Sequence, residues 1–355
     1  MSQKSGAIGF GGFLIGLGIG YLVFKQLNIT FNEAAWALII LGVAIVLSAV
    51  IRSISPGLGI HRIVGGLAGG LILALFLTQG FNFLSGVNIG NPFLPYSSTE
   101  TKTYSGLSTQ GAVNLKLGSM NGDITLSTWN RSEYSITSTI TARGITQQEA
   151  DNNLANLSKN IIDTETTTQQ SLALIYNSQT LVNNPYQIKV DVKLPANSVL
   201  NLELTTSNAN IVIADVNGGV VNLDTSNGAV RINNVNADKI TAETSNSPIT
   251  GTVGATTCQL STSNSPINIQ VVSSKSGDYT LQTSNSNIDV TMPSTADCKL
   301  DASTSNSAVT FGIPNFTYSR DTSTSKAGQT SSFDSSQFKI SVNAQTSNSE
   351  IRIHR

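Results

Sequence analysis

Two hydrophobic patterns divide this chain near residue 90. Before it, apolar residues run almost unbroken through 6–24, 34–51 and 63–83. After it, apolar and polar residues alternate with period two, the signature of strands with one buried face. Thr-Ser-Asn punctuates that alternation at Thr206, Thr225, Thr244, Thr262, Thr283, Thr304 and Thr346, in steps of 19, 19, 18, 21, 21 and 42 residues. A fixed period near 20 predicts stacked coils, each burying its apolar face only against its neighbours.

Alignment on the threonine defines the coil. Four residues before it stand Leu202, Val221, Ile240, Cys258, Tyr279, Leu300 and Val342. Five after it stand Ile211, Val230, Ile249, Ile267, Ile288, Val309 and Ile351. Similar columns lie at minus two and plus seven, with polar residues between. A strand therefore enters each corner and another leaves it. The asparagine supplies the left-handed backbone that a corner needs. The predicted fold is an all-β solenoid of about 20 residues per coil over 201–355, preceded by a less regular part and cap at 111–200 and a linker at 91–110. Ser119-Met120-Asn121-Gly122 reads as a degenerate first corner, and Thr146 with Glu149 sets a capping box for a helix across 145–161.

The three apolar runs, 18 to 21 residues each, match the length of a spanning helix. They predict a membrane region at 1–90 with three transmembrane helices. Lys4, Arg52 and Arg62 fall on one side and Lys25 on the other, which predicts a cytoplasmic N-terminus and an extracytoplasmic C-terminal domain of a multi-pass cell-membrane protein. Gly12, Gly16 and Gly20 recur every fourth residue, a face suited to close helix–helix association, within the chain or between copies.

Composition narrows function more than it names it. Charged residues make up 12% of the chain, and only Lys4, Lys25, Glu33, Arg52 and Arg62 precede Asn91. The remainder is mildly acidic, with no basic patch for nucleic acid. Two histidines and two cysteines leave no expected metal site, cofactor site or catalytic triad. Cys258 and Cys298 are expected inside the core, too far apart to bridge.

The Thr-Ser-Asn-[Gly/Ser]-x-Ile-x-Ile coils resemble the adhesin-like β-solenoid domains, a family of unknown function. The lead-in Leu194-Pro195-Ala196-Asn197-Ser198, echoed at Met292-Pro293-Ser294-Thr295-Ala296, carries the same likeness, which covers about Gly111 to Arg355. Gly12-Phe13-Leu14 through Trp36 to Gly42 resembles a paired-helix membrane module of bacterial envelope-stress proteins. These resemblances imply a fold and a place at the cell envelope rather than an activity.

Two sets of residues stand out as candidate chemistry. Asp224 and Glu243, each immediately before a corner threonine, face outward on adjacent coils at a spacing that could suit a carboxylate pair. Phe316, Tyr318, Arg320 and Phe333 lie in 312–336, where the column positions turn polar and the segment is expected to leave the stack as a binding loop. Together these features predict a membrane-anchored, non-enzymatic adhesion or envelope interaction protein with a cell-surface glycan or envelope protein as partner. The rival readings are an envelope-stress sensor acting on a membrane partner and, more remotely, a polysaccharide-active enzyme.

Overall fold

The computed structural model describes residues 13–19, 43–44, 47–48, 64–71, 94–108, 111–166, 168–177, 185–272 and 275–355. They fall in two compact units, Met1–Pro92 and Phe93–Arg355. In the first, residues 13–19 and 64–71 are helical. Among the described residues no helix is long and apolar enough to cross a membrane, so the expectation of a solenoid carried by three transmembrane helices is corrected to a large β-sheet fold. The rest of 6–24, 34–51 and 63–83 lies outside the described residues.

The glycine face has a visible use. A Cβ on Gly16 would fall 2.2 Å from the carbonyl oxygen of Leu67, and one on Gly70 2.1 Å from that of Phe13. The two helical segments thus meet backbone to backbone within one chain. Gly12 and Gly20 lie outside the described residues.

The second unit begins with β1 (Tyr96–Leu107), β2 (Ala112–Gly118), β3 (Ile124–Trp129) and β4 (Glu133–Gly144). Helix α1 (Gln147–Asn156), β5 (Ser158–Glu165), β6 (Gln169–Asn177) and β7 (Tyr186–Pro195) follow. The repeats supply β8 (Val199–Thr206), β9 (Ile211–Ala214), β10 (Asn217–Thr225), β11 (Val230–Thr244), β12 (Ile249–Thr262), β13 (Ile267–Val271), β14 (Gly277–Gln282) and β15 (Ile288–Thr291). Last come β16 (Asp297–Thr304), β17 (Val309–Gly312), β18 (Phe316–Asp321), β19 (Ser325–Thr330), β20 (Lys339–Thr346) and β21 (Ile351–His354). The segment 91–110, expected as a linker, therefore contains a twelve-residue strand.

Strands on both sides of each corner pair in parallel with their counterparts one coil away. Val221 lies beside Leu202 and Ile240, and Val230 beside Ile211 and Ile249. The columns are consequently dry: Val221, Ile240, Ile211, Val230 and Ile249 are all 0% exposed. Each corner is stapled twice. The buried threonine hydroxyl donates to a carbonyl of the adjacent coil, as Thr225 does to Ala209 at 3.0 Å and Thr244 to Gly228 at 3.1 Å. The asparagine amides form an unbroken ladder through Asn121, Asn208, Asn227, Asn246, Asn264, Asn285, Asn348 and Asn306, with Nδ2 to Oδ1 distances of 2.7–2.8 Å. Asn121 is the end rung of this ladder, which makes 119–122 a corner; it alone of the eight has left-handed backbone, φ +53, so the expectation of left-handed backbone at the Thr-Ser-Asn asparagines is corrected.

Coil order departs from sequence order at both ends. The Thr346 coil inserts between those of Thr283 and Thr304, since β20 pairs with β14 on one side and β16 on the other. At the opposite end β2 and β3 lie between β6, β7 on the outside and β8, β9 on the inside. The chain thus skips one level twice, at 194–198 and 292–297, and fills each vacancy with its first or last coil. These skips are the two Pro-containing lead-ins. Proline has no N–H to offer a ladder, and the amides of Ala196 and Met292 reach instead to Trp129 O and His354 O of the inserted coils.

The stack ends are closed by antiparallel strands. β5 covers β6, while β4 covers β7 and carries β1. Thr146 caps α1, accepting from Glu149 N at 3.1 Å. At the other end the segment 312–336 is no free loop: β18 and β19 form a hairpin whose second strand pairs antiparallel with β16. Cys258 and Cys298 are free and buried. The inserted Thr346 coil sets the coil of Cys298 two levels from that of Tyr279 and three from that of Cys258.

Candidate functional site

The capped end holds most of the candidate side chains. Phe311 occupies the plus-seven column, but its coil is the last, so its ring meets the hairpin rather than another coil. Phe311 and Phe316 pack edge to face at 5.4 Å, Phe316 and Tyr318 likewise at 5.0 Å, and Phe311 and Tyr318 lie nearly parallel at 6.2 Å. Such geometries suit the quadrupoles of the rings. Phe316 packs against the core, whereas Tyr318 stays 39% exposed.

Charge is arranged around that tyrosine. Lys326 Nζ sits 5.2 Å from the Tyr318 ring centroid, within cation–π range, and is ion-paired with Asp321. Arg320 is ion-paired with Asp301 on β16. A bulge between Tyr318 and Arg320 offsets the hairpin register. Opposite it, Gly328 has φ +159, and a Cβ there would fall 2.1 Å from Thr317 O. Beside these residues opens a depression of about 680 Å³ lined by Lys299, Asp301, Tyr318, Arg320, Gln329 and neighbours. It offers one exposed ring edge amid hydrogen-bond donors and acceptors.

Phe333 is set apart from the other aromatics. It lies in a 3-10 turn, Phe333–Ser335, with Lys339 Nζ 5.5 Å from its ring. The turn is tied to β16 through Asp297, which accepts from Ser332 Oγ at 2.6 Å and Thr330 Oγ1 at 2.8 Å. Those bonds hold the Asp297 carboxyl below the usual carboxylate range.

Asp224 and Glu243 are register neighbours on β10 and β11 and are exposed. They stand on a solvated strand face between Thr205 and Ser261. Among the described residues no group of three His, Cys, Asp or Glu side chains is placed to hold a metal ion. Sequence reading missed Phe311 and Asp301 as members of the cluster. Phe311 had one signal: it is the sole aromatic in its column, directly before the segment where the columns fail.

No protein-family model matches the chain, and no curated protein does either. Solved structures similar to it include a provisionally described cell adhesion protein from Clostridium sporogenes, at 11% identity and TM-score 0.35 over 72% of this chain and 99% of that one. Another is a provisionally described adhesin from Bacteroides fragilis, at 11% identity and TM-score 0.36 over 72% and 98%. A third is a provisionally described lipid binding protein from Parabacteroides distasonis, at 13% identity and TM-score 0.33 over 74% and 98%.

Proposed function

We propose that the chain is a non-enzymatic interaction protein of the cell envelope, its β unit held outside the cytoplasm and its capped end binding envelope or cell-surface polysaccharide. The observation that carries this reading is the half-exposed Tyr318 beside a polar depression. A sugar offers C–H groups to pack on the exposed edge of the tyrosine ring and hydroxyls to the polar groups around it. Lys299, Asp301, Arg320 and Gln329 supply donors and acceptors of both kinds at one rim. The nearly charge-free stretch before Asn91 supports attachment to a membrane, and the Ser/Thr/Asn-rich surface of the β unit suits an exposed domain. The carboxylate pair stands on an open face, which favours binding over hydrolysis.

The test uses the full chain. Sedimentation with insoluble peptidoglycan and with purified envelope polysaccharide should show binding that Tyr318→Ala and Arg320→Ala each reduce about tenfold with unchanged melting. Phe316→Ala should instead lower the melting temperature, because its ring is packed. Binding unchanged in both Tyr318→Ala and Arg320→Ala would remove the capped end as the site. Protease added to intact cells should cut within Phe93–Arg355, and cutting seen only after lysis would reverse the placement.

A further inference from the structure

At the end of the stack that β5 and β6 close, the core turns polar. Gln170 on β6 is in register with Val113 on β2, which is in register with Leu200 on β8. It therefore occupies an inward column that the neighbouring coils fill with aliphatic side chains, and it is 1% exposed. Ser138 on β4, also 1% exposed, stands in register with Val190 in the same way. Polar side chains are retained in this layer at positions where burial alone asks for aliphatic ones.

Most polar groups of the layer find partners. Tyr134 donates to Asp163 Oδ2 at 2.8 Å, and the hydroxyls of Ser138 and Tyr176 share a bond of 3.0 Å. Gln170 Nε2 donates to Leu107 O on β1 at 3.2 Å and to Asp163 Oδ1 on β5 at 2.9 Å. Three atoms do not. Among the described residues, Tyr104 OH and Ser108 Oγ at the inner face of β1 and its end, and Gln170 Oε1, are buried with no hydrogen-bond partner. Turning the amide does not mend this. Both partners of Nε2 are acceptors, so exchanging the amide atoms would set Oε1 against a carbonyl and a carboxylate. Gln170 Oε1 thus needs a donor that its described neighbours do not supply.

A buried polar group without a partner is unfavourable, and in native proteins such groups are answered by ordered water where protein atoms do not reach them. The three atoms are one acceptor and two hydroxyls, all uncharged. Water matches that set, because it donates to the first and either donates to or accepts from the other two. We propose that the seam between β1, β4 and β5, β6 is a binding site for ordered water, which donates to Gln170 Oε1 and hydrogen-bonds the hydroxyls of Ser108 and Tyr104. Bound water completes a network that is otherwise half satisfied, and a half-satisfied polar layer is worse than an apolar one. It ties the cap to the stack through solvent as well as through Leu107 O.

Tyr104→Phe and Ser108→Ala, made in the full chain, test this by the sign of their effect. Each removes a hydroxyl and little else. Removing a hydroxyl that has no partner raises the melting temperature, whereas removing one that is bonded to water lowers it. The expected result is a fall of about 2–4 °C in each variant. Oxygen-17 relaxation dispersion, which counts waters held far longer than those on the surface, should find at least one fewer in the double variant than in the parent. That count is read below the double variant's own melting transition, which shows that it is folded. A melting temperature at or above the parent's in either single variant, or an equal count of long-lived waters in the parent and the double variant, would overturn the proposal.

Discussion

Asn348 donates through Nδ2 to Oδ1 of Asn285 at 2.7 Å, across 63 residues of sequence. The corner that directly follows Asn285 in the chain is Asn306, yet Asn306 reaches Asn348 at 2.8 Å. The last coil thus sits where the next coil would be, and the ladder passes through it unbroken. The Thr346 coil is held on two sides, and outside it lie the Thr304 coil and then the β18–β19 hairpin. Long-range insertion of this kind raises loop-closure cost in folding and protects the end from fraying.

This order is testable by position. Gln345 lies in register between Gln282 and Ser303. Neighbouring strands stand about 4.8 Å apart, within disulfide reach. Gln282→Cys with Gln345→Cys should therefore cross-link on oxidation. Gln282→Cys with Ser303→Cys, about 9.6 Å apart across two levels, should not. The reverse pattern would restore simple sequential stacking.

The inward and outward columns should respond very differently to charge. Leu260 is 1% exposed and Leu223 2%, so either one changed to Asp places a carboxylate among aliphatic side chains at a cost of several kcal/mol. Thr280, exposed on the same strand family, should accept Asp within about 0.5 kcal/mol. The corner threonines form a third class. Thr244→Val keeps the shape but deprives the Gly228 carbonyl of its hydroxyl donor, for a loss of about 1–3 kcal/mol. Urea midpoints of the four variants give the ranking, and similar midpoints for Leu260→Asp and Thr280→Asp would contradict the column assignment.

What the sequence made legible, and what it did not, follows from what a period encodes. The columns at minus four and plus five are physical requirements of burial, so Leu202, Val221 and Ile211 could be placed from alternation alone. The helix start at Thr146 was equally readable, because a capping box is local chemistry. Coil order was not, since the corners at Thr283, Thr304 and Thr346 are interchangeable and nothing in a repeat says which neighbour it takes. The skips at Pro195 and Pro293 were visible as a shared motif but read as a lead-in. The candidate site suffered from the same gap. Tyr318, Arg320 and Phe333 share a segment, yet the hairpin bulge and the turn at Phe333 separate them, and the partners of the first two, Phe311 and Asp301, come from the preceding coil.

Alkaline pH should expose the buried acids. Burial pushes the Cys258 thiol from its ordinary 9.0 to about 12 and the Cys298 thiol to about 11. Tyr134 and Tyr176 rise from 10.0 to about 12, each chiefly by burial, with the hydrogen bond and charge of Asp163 adding to the shift at Tyr134. In every case the folded value lies above the unfolded one. Their contribution to stability is therefore intact below about pH 9 and lost as pH rises toward 12, because the unfolded chain releases protons that the folded one keeps. The urea midpoint should hold level up to about pH 9 and then fall. In the Cys258→Val, Cys298→Ala double variant the fall should begin nearer pH 10, where the tyrosines take over. An unchanged onset would mean that the thiols are not the groups responsible.

The repeat also invites a repair that the structure predicts will fail. Gly251 stands in the plus-seven column where the neighbouring coils carry Ile232 and Ile269, so a consensus reading would replace it with Ile. Its backbone has φ +143, and a Cβ there would fall 1.8 Å from the carbonyl oxygen of Ile232. The cause is local: the pairing of β11 with β12 shifts register between Ile232 and Val235, and Asn234, itself at φ +54, donates its N–H to Thr252 Oγ1 at 2.6 Å. Glycine fills the space that this kink leaves, at a conformation that side chains rarely adopt. Gly251→Ile should destabilise the chain by more than about 2 kcal/mol, through backbone strain and overpacking together. Gly118→Ala is the matched control. No atom lies within 4 Å of the position its Cβ would take, so it should be neutral or slightly stabilising by restricting the unfolded chain. A Gly251→Ile variant that melts at or above the parent would show that the column is regular there and that the kink is not required by the fold.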